Sequence, residues 1–477
     1  MLNFIENILC HFETCFSRKS AFRWFVVITV GLMLRSDKLG VTSIIRDLAL
    51  HPGCYDSMLH FFRASSWSLE EIRKRWFCAV KQYAPLYKEG NLHVLVGDGV
   101  KQSKEGRRMP GVKKLFQESE NSAKPEFIHG HMFGGLGILA GSVRRWACIP
   151  LSIRLHDGLQ AAREWKGASV SAASHVVQMV EDAWHAAHTF GDSLLLLDRY
   201  FLTVPALEKL KELNGSGSVH MEIVTKAKKS CTAYQKPGPR RPGRGRPPKK
   251  GAAVRLKELF GSHKGQFQEA EIELYGKKEA IRYYCIDLLW GQKLYQELRF
   301  VLVEMDGVQG ILASTSLALE PLSIIRLYSY RFRIECTFRE LKQQIGAFCY
   351  HFWSKYMPKL NYYQKKGEPT PMEQVEGERP RRKVLEAVRA IEMHMALSCI
   401  AMGILQGISI HFIGKVSSGQ IRYQRTPSRG RVSEAALMHY FRKHFFRLLG
   451  RDPGLRITQI IQELQEEPGE QWDSMAS

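Results

Sequence analysis

The alternation of apolar and polar positions changes character several times along the chain. Residues 1–88 are dominated by short amphipathic stretches. Positions 41–50 (VTSIIRDLAL) and 55–62 (YDSMLHFF) read as two short helices separated by His51-Pro52-Gly53. Ser68-Leu69-Glu70-Glu71 reads as a helix start, with Ser68 as N-cap and acids in the first turn. The run 25–34 (FVVITVGLML) is shorter than the roughly 20 residues a spanning helix needs. It follows Arg18, Lys19 and Arg23 with no small-residue cleavage site behind it, so it predicts a buried helix of an N-terminal domain rather than a signal peptide. A helix–turn–helix DNA-binding unit and a plain helical bundle both fit this region.

The texture shifts at Asn91. Positions 93–97 (HVLVG) predict a strand ending at Asp98, and 101–114 (KQSKEGRRMPGVKK) a basic loop. Positions 129–140 and 144–155 are rich in strand formers and joined by Gly141-Ser142, a hairpin signal. Val170, Ala173, Val177, Val180 and Trp184 recur at helical spacing within 165–190. Positions 192–197 (DSLLLL) predict a buried strand ending at Asp198, 204–213 a helix and 219–224 another strand. Strand, hairpin, helix, strand, helix, strand is the order of a mixed α/β sheet. Further strands are predicted at 271–274, 280–289 and 298–303, then a helical region over 322–348. Residues 350–382 read as a basic loop, 383–406 as an apolar core helix, and 407–477 as polar helix without an assigned task. The longest uncharged run of that core helix, 395–405, is too short to cross a bilayer. The implied division is 1–88 (helical, a candidate for binding DNA), 89–225 (mixed α/β), 226–320 (basic linker and β-rich segment), 321–350 (helical) and 351–477 (helical C-terminal region).

Composition narrows the partner. Across 477 residues, Lys+Arg number 69 and Asp+Glu 47, a net charge of +22, which favours an anionic polymer. An acidic membrane surface is the other anionic candidate, but no basic amphipathic helix of the right kind marks one. Hydrophobic residues at 44% exclude wholesale disorder. Ten scattered cysteines form no C-x-x-C pair, which argues against a zinc ribbon or redox motif and for a reducing cytosol. The charge concentrates in 226–250, where ten Lys/Arg and no acid stand among prolines and glycines. Within it, positions 243–250 (GRGRPPKK) allow two readings. One is an AT-hook whose Arg244 and Arg246 enter an A·T-rich minor groove; the other is a flexible linker that only touches phosphates.

Candidate chemistry rests on carboxylates. Asp98 and Asp198 each end an apolar strand, where α/β sites gather and where aspartates also cap turns. The third acid is Glu335. At 100° per residue, Arg331, Glu335 and Lys342 fall at about −60°, −20° and −40° from Tyr328, one narrow stripe. Ile334, Phe338, Leu341, Ile345 and Phe348 gather on the neighbouring flank. Taken alone, the stripe also fits an intrahelical salt-bridge ladder.

The spacing Tyr328-x2-Arg331-x3-Glu335-x6-Lys342 resembles the Y-R-E-K signature of DDE-type cut-and-paste transposases of bacterial insertion sequences. Gly97-Asp98-Gly99 looks like the family's first acidic motif and Leu197-Asp198-Arg199-Tyr200-Phe201 like the second. The resemblance covers about 90–350 and the apolar helix at 383–406. The gap from Asp198 to Glu335 (335 − 198 = 137, against 198 − 98 = 100 for the first) is similar to that of members with a β-rich insertion. The resemblance implies an RNase-H-like mixed sheet flanked by helices, with catalytic and metal-holding roles for Asp98, Asp198 and Glu335. It implies two Mg²⁺ ions, with Mn²⁺ as a substitute. It implies DNA contacts from Tyr328, Arg331 and Lys342, to which the basic positions Arg199, Lys101, Arg244 and Arg246 add further candidates. The partners would be double-stranded terminal repeats and target DNA, bound by a dimer or larger assembly in the bacterial cytosol, with no membrane. Members of the subgroup hold a flipped base with an aromatic residue during a hairpin step; no aromatic stands at matching spacing, Trp290 being the nearest. The rival readings are an RNase-H-like host nuclease or resolvase and a non-catalytic, domesticated DNA-binding protein.

Overall fold

The computed structural model describes residues 1–38, 40–117, 125–142, 146–165, 174–238, 248–363, 368–412, 414–416 and 432–465. Five helices open the chain: α1 Leu2–Cys10, α2 Lys19–Leu34, α3 Thr42–Asp47, α4 Cys54–Phe61 and α5 Leu69–Tyr83. Then come β1 Lys88–Glu89, β2 Leu92–Ser103, β3 Lys113–Phe116, β4 Phe127–Ala140, β5 Ala147–Leu155, α6 Gln160–Glu164, α7 His175–Phe190, β6 Ser193–Leu196, α8 Val204–Ser216 and β7 Met221–Lys226. The insertion holds β8 Thr232–Tyr234, β9 Ala253–Arg255, α9 Leu259–Ser262, β10 Gln268–Leu274, β11 Lys277–Trp290, β12 Gln296–Met305 and β13 Val308–Ser314. The chain closes with α10 Pro321–Tyr330, α11 Phe332–Glu340, a π-helical turn Leu341–Ile345, α12 Glu378–His411, α13 Glu434–Arg451 and α14 Arg456–Gln465. The architecture is mixed α/β and RNase-H-like, with a helical N-terminus.

Two compact units interleave along the sequence. The first comprises 1–86, 99–172 and 336–477; the second, 87–98 and 173–335. Strand β2 contributes its beginning to the second unit and its end to the first.

In the first unit, β4 and β5 form the expected hairpin, Ala140 opposite Ala147. The basic stretch 101–114 is not all loop. Lys101–Ser103 continues β2, and Lys113–Lys114 opens β3 on β4. The reason is Gly130: a Cβ there would lie 2.1 Å from the Gln102 carbonyl oxygen, so its bare Cα lets β4 close on the end of β2, and Lys104 N–H donates to His129 O at 2.9 Å. Helix α2 is buried along nearly its whole length, as an apolar run ending Val-Gly-Leu-Met-Leu dictates. Ser68 caps α5, accepting from Glu71 N–H. Helix α12 is long and apolar enough to cross a membrane, contrary to the count based on its uncharged run alone, yet 94% of its most apolar window is buried inside the protein. It is the core helix of this unit, packed on β5, α2 and α5.

In the second unit the strand order is β2-β6-β7-β13-β12-β11-β8-β9, with β1 on β2 and β10 on β11. The β2-β6-β7 trio is parallel and the remainder antiparallel. Strand β13, absent from the sequence-based expectation, follows β12 through Asp306-Gly307, both at positive φ (47° and 74°), the conformation a tight two-residue hairpin requires. The insertion has its own core of Leu256, Leu288, Leu298, Phe300 and Ile311.

Candidate active site

The second unit assembles the site from two strands and one helical segment. The parallel ladder of β2 and β6 ends at Val96 opposite Leu196. Asp98 and Asp198 each stand two residues beyond that last pair, on matching positions of neighbouring strands. Since side chains alternate faces with period two, both acids issue from the same side of the sheet edge. Between ladder and acid lies Gly97, where a Cβ would sit 2.7 Å from the Met179 sulfur and 2.9 Å from a Leu197 methyl. Glycine is what lets α7 pack directly behind the first acid.

Asp198 is held at both ends. Its carbonyl accepts from the Thr225 hydroxyl at 2.6 Å, and its Oδ1 accepts the Tyr200 N–H at 2.6 Å, capping the short turn Arg199–Phe201. The turn-capping role open to any strand-terminal aspartate is therefore real here. Arg199 and Tyr200 are exposed beside it.

Arg331 sits between α10 and α11. Its backbone stays helical, but its N–H donates to Tyr328 O, three residues back, tightening the turn. Its guanidinium reaches Asp98 Oδ2 at 3.1 Å with one nitrogen and Glu335 Oε1 with the other. The i,i+4 pair with Glu335 is the rung a salt-bridge ladder would supply; the bond to Asp98, 233 residues away, is not. The site is partly shielded, the Arg331 and Asp98 side chains being 16% and 19% exposed. Burial works against the charged guanidinium, but Asp98, Tyr328 and Glu335 together outweigh it and push its pKa up. Burial also pushes the Tyr328 phenol up to about 12, with Asp198 adding to the rise and Arg331 opposing it. Tyr328, Arg331, Glu335, Asp98 and Asp198 thus form one electrostatic cluster.

A neighbouring clamp was not anticipated. Arg326 donates to Glu89 Oε1 at 2.8 Å, and the Tyr87 hydroxyl donates to Glu89 Oε2 at 2.5 Å, fixing α10 one turn before the site. Arg326 lies five residues before Arg331, off the stripe, and only the pairing of β1 with β2 brings Glu89 to it. Tyr275, 66% exposed at the β10–β11 turn, adds to the field at Tyr328 and was likewise missed. Trp290 is no open aromatic: it packs against the insertion core and its Nε1–H donates to Cys231 Sγ at 3.1 Å.

The remaining expected residues are not among the described residues of the second unit. Lys101 and Lys342 belong to the first unit and are exposed; Lys101 donates to Phe116 O at 2.7 Å, and Lys342 Nζ stands 5.5 Å from the Phe348 ring centroid. Lys342 falls in the π-turn, where the 100° step no longer applies, so the stripe is not continuous to its end. Arg244 and Arg246 lie outside the described residues.

The donor set suits a hard divalent cation, which takes carboxylate oxygens. Asp98 and Glu335 already hold a positive group between them in the guanidinium. Among the described residues no three His, Cys, Asp or Glu side chains converge as a ready-made metal site.

A mixed RNase-H-like sheet with acids at the carboxyl edge of its parallel strands and a third acid on a following helix defines a class, the metal-dependent nucleases. A family model described as DDE superfamily endonuclease matches residues 11–279, more than half of the chain, and the chain belongs to that family. The match includes Asp98 and Asp198 and ends before Glu335. No curated protein and no solved structure matches the chain.

Proposed function

We propose that this DDE endonuclease is a transposase, cutting DNA at the ends of an insertion element and joining the freed 3′-hydroxyls to target DNA. The observation that carries the reading is the Arg331 guanidinium held between Asp98 and Glu335, with Tyr328 and Asp198 beside it. Those three acids would hold two Mg²⁺ ions, Mn²⁺ substituting. Bound there, the ions supply activation of the attacking water or 3′-hydroxyl and stabilisation of the leaving oxygen.

The chain's own groups do the positioning. Arg331, released from the carboxylates, turns its fork to a phosphate of the cut strand, a bidentate contact suited to guanidinium. The Tyr328 hydroxyl, kept neutral by burial, donates to a neighbouring phosphate oxygen. Arg199, beside Asp198, contacts the backbone as well, and Lys101 and Lys342 are candidate DNA contacts of the first unit. The charge of +22 supports a partner of many phosphates. The working unit is a dimer or larger assembly on paired ends.

Metal-dependent cleavage and joining on DNA carrying the repeats that flank the coding sequence tests this, beside an unrelated duplex. Asp98→Asn, Asp198→Asn and Glu335→Gln are each expected to abolish cleavage and leave DNA binding nearly unchanged. Near-normal cleavage by any one removes that residue from the site. Cleavage of both duplexes alike, without joining, would favour a plain nuclease.

A further inference from the structure

We propose a second nucleic-acid site, in the first unit, that holds an unpaired segment of single-stranded DNA by stacking a base on Trp353. The chemistry lies in the segment between the π-turn and α12, which the candidate active site does not use. A groove of about 410 Å³ is walled by the 353–356 loop, the first turns of α12 and Arg63 just past α4. That is near the lower end of the range for ligand sites, roughly 300–1,000 Å³, and gives room for one nucleotide.

Three features select the occupant. Trp353 is 56% exposed, although an indole is ordinarily among the most covered side chains. It shares the groove with four cations, Arg63, Lys355, Arg379 and Lys383, against one acid, Glu386, which is engaged by Lys383 at 2.7 Å. Arg63 and Arg379 line the groove and form no ion pair with any described residue. An exposed ring among unneutralised guanidiniums matches the two recurring elements of single-strand recognition, a stacking platform and a cationic track. A duplex satisfies only the second, because its bases are already stacked on one another. An acidic peptide meets the cations, but its carboxylates do not stack on the indole, whereas every base of a single strand offers a π-face.

The site uses none of the active-site acids, so its test needs neither metal nor cleavage and stands apart from the transposase reading. The full chain, without divalent metal, is irradiated with an oligothymidylate carrying one 5-iododeoxyuridine, then with the same strand annealed to its complement, and the adducts are mapped by mass spectrometry. The expected adduct is on the peptide containing Trp353, with the single strand only. By fluorescence anisotropy, Trp353→Ala should weaken single-strand binding about tenfold, the scale of losing one stacked base, with a much smaller loss on the duplex. Trp353→Phe, which keeps a ring, should recover most of it, and Arg63→Gln with Arg379→Gln should flatten the salt dependence. Adducts only on other peptides, or equal losses of the two DNA forms in Trp353→Ala, would overturn the proposal. Should the alanine variant fail to fold, the adduct map and Trp353→Phe decide.

Discussion

On the proposed function, Arg331 has two roles that cannot be filled at once. Its guanidinium, bonded to Asp98 and Glu335, puts a positive charge where an ion held by those two acids would put its own, and it is the group proposed above for a DNA phosphate. On the proposed function, ion and side chain would compete for the carboxylates, and an ion bound there would free the fork for the phosphate. Arg331→Gln removes the competitor. Each charge-assisted bond contributes about 1.5–3 kcal/mol, so the variant should bind Mn²⁺ roughly tenfold or more tightly than the wild type, read by calorimetry without DNA. The same variant should cleave about 10- to 100-fold more slowly, having lost the phosphate contact. Unchanged or weaker Mn²⁺ binding would mean that the guanidinium does not hold the ion's place.

Among the elements, β4 meets the end of β2 where a Cβ on Gly130 would lie 2.1 Å from the Gln102 carbonyl oxygen. Any side chain at 130 must push β4 off the end of β2, since the obstructing atom is a carbonyl oxygen and not a flexible side chain. Gly130→Ala should cost about 3 kcal/mol, the upper part of the overpacking range, and lower the thermal midpoint. A melt indistinguishable from wild type would show that the strands can part without loss. This contact also marks where the sequence stopped being informative. The strands leading to Asp98 and Asp198 were readable because short apolar runs end abruptly at acids, and the Tyr328, Arg331, Glu335 stripe because helical spacing is local. The continuation of β2 through Lys101 was not readable: its residues are polar, and they are strand only because a glycine 28 positions later admits a neighbour. Asp306-Gly307 is by contrast a local hairpin signal, and it is what places β13 directly after β12. The π-turn that carries Lys342 has a tertiary cause. The buried Arg35 guanidinium bonds Ile345 O and Gly40 O, and Gly346, which ends the turn at φ 64°, must be glycine because a Cβ there would lie 2.5 Å from an Arg35 nitrogen.

At the scale of the whole molecule, buried basic groups of the first unit bear on how stability responds to pH. Burial lowers Lys104 to about 8, and its Nζ donates to Phe348 O at 2.5 Å beneath the Tyr350 ring. Burial likewise lowers His131 and His394 to about 3, and the His131 Nδ1 is 2.6 Å from the Tyr350 hydroxyl. A lysine whose folded pKa lies below its unfolded value binds fewer protons folded than unfolded. Its charging is a cost carried in full below about pH 8 and relieved as pH rises toward the unfolded value. Lys104→Met escapes that cost. Its stability relative to wild type should be highest at pH 7 and fall by up to about 3 kcal/mol between pH 8 and 10.5, measured by urea unfolding of both proteins at each pH. A difference independent of pH would show that the ammonium is solvated in the fold. The insertion carries a consequence of another kind. The chain leaves β7 at Lys226 and returns on β13 with Leu312 directly opposite, Ala227 N–H already bonded to Ile311 O. Everything from 227 to 311 is thus a detour whose two ends meet, so in ancestry a whole subdomain could have entered, or could be excised, at a single splice in the gene without rethreading the strands that bear the acids.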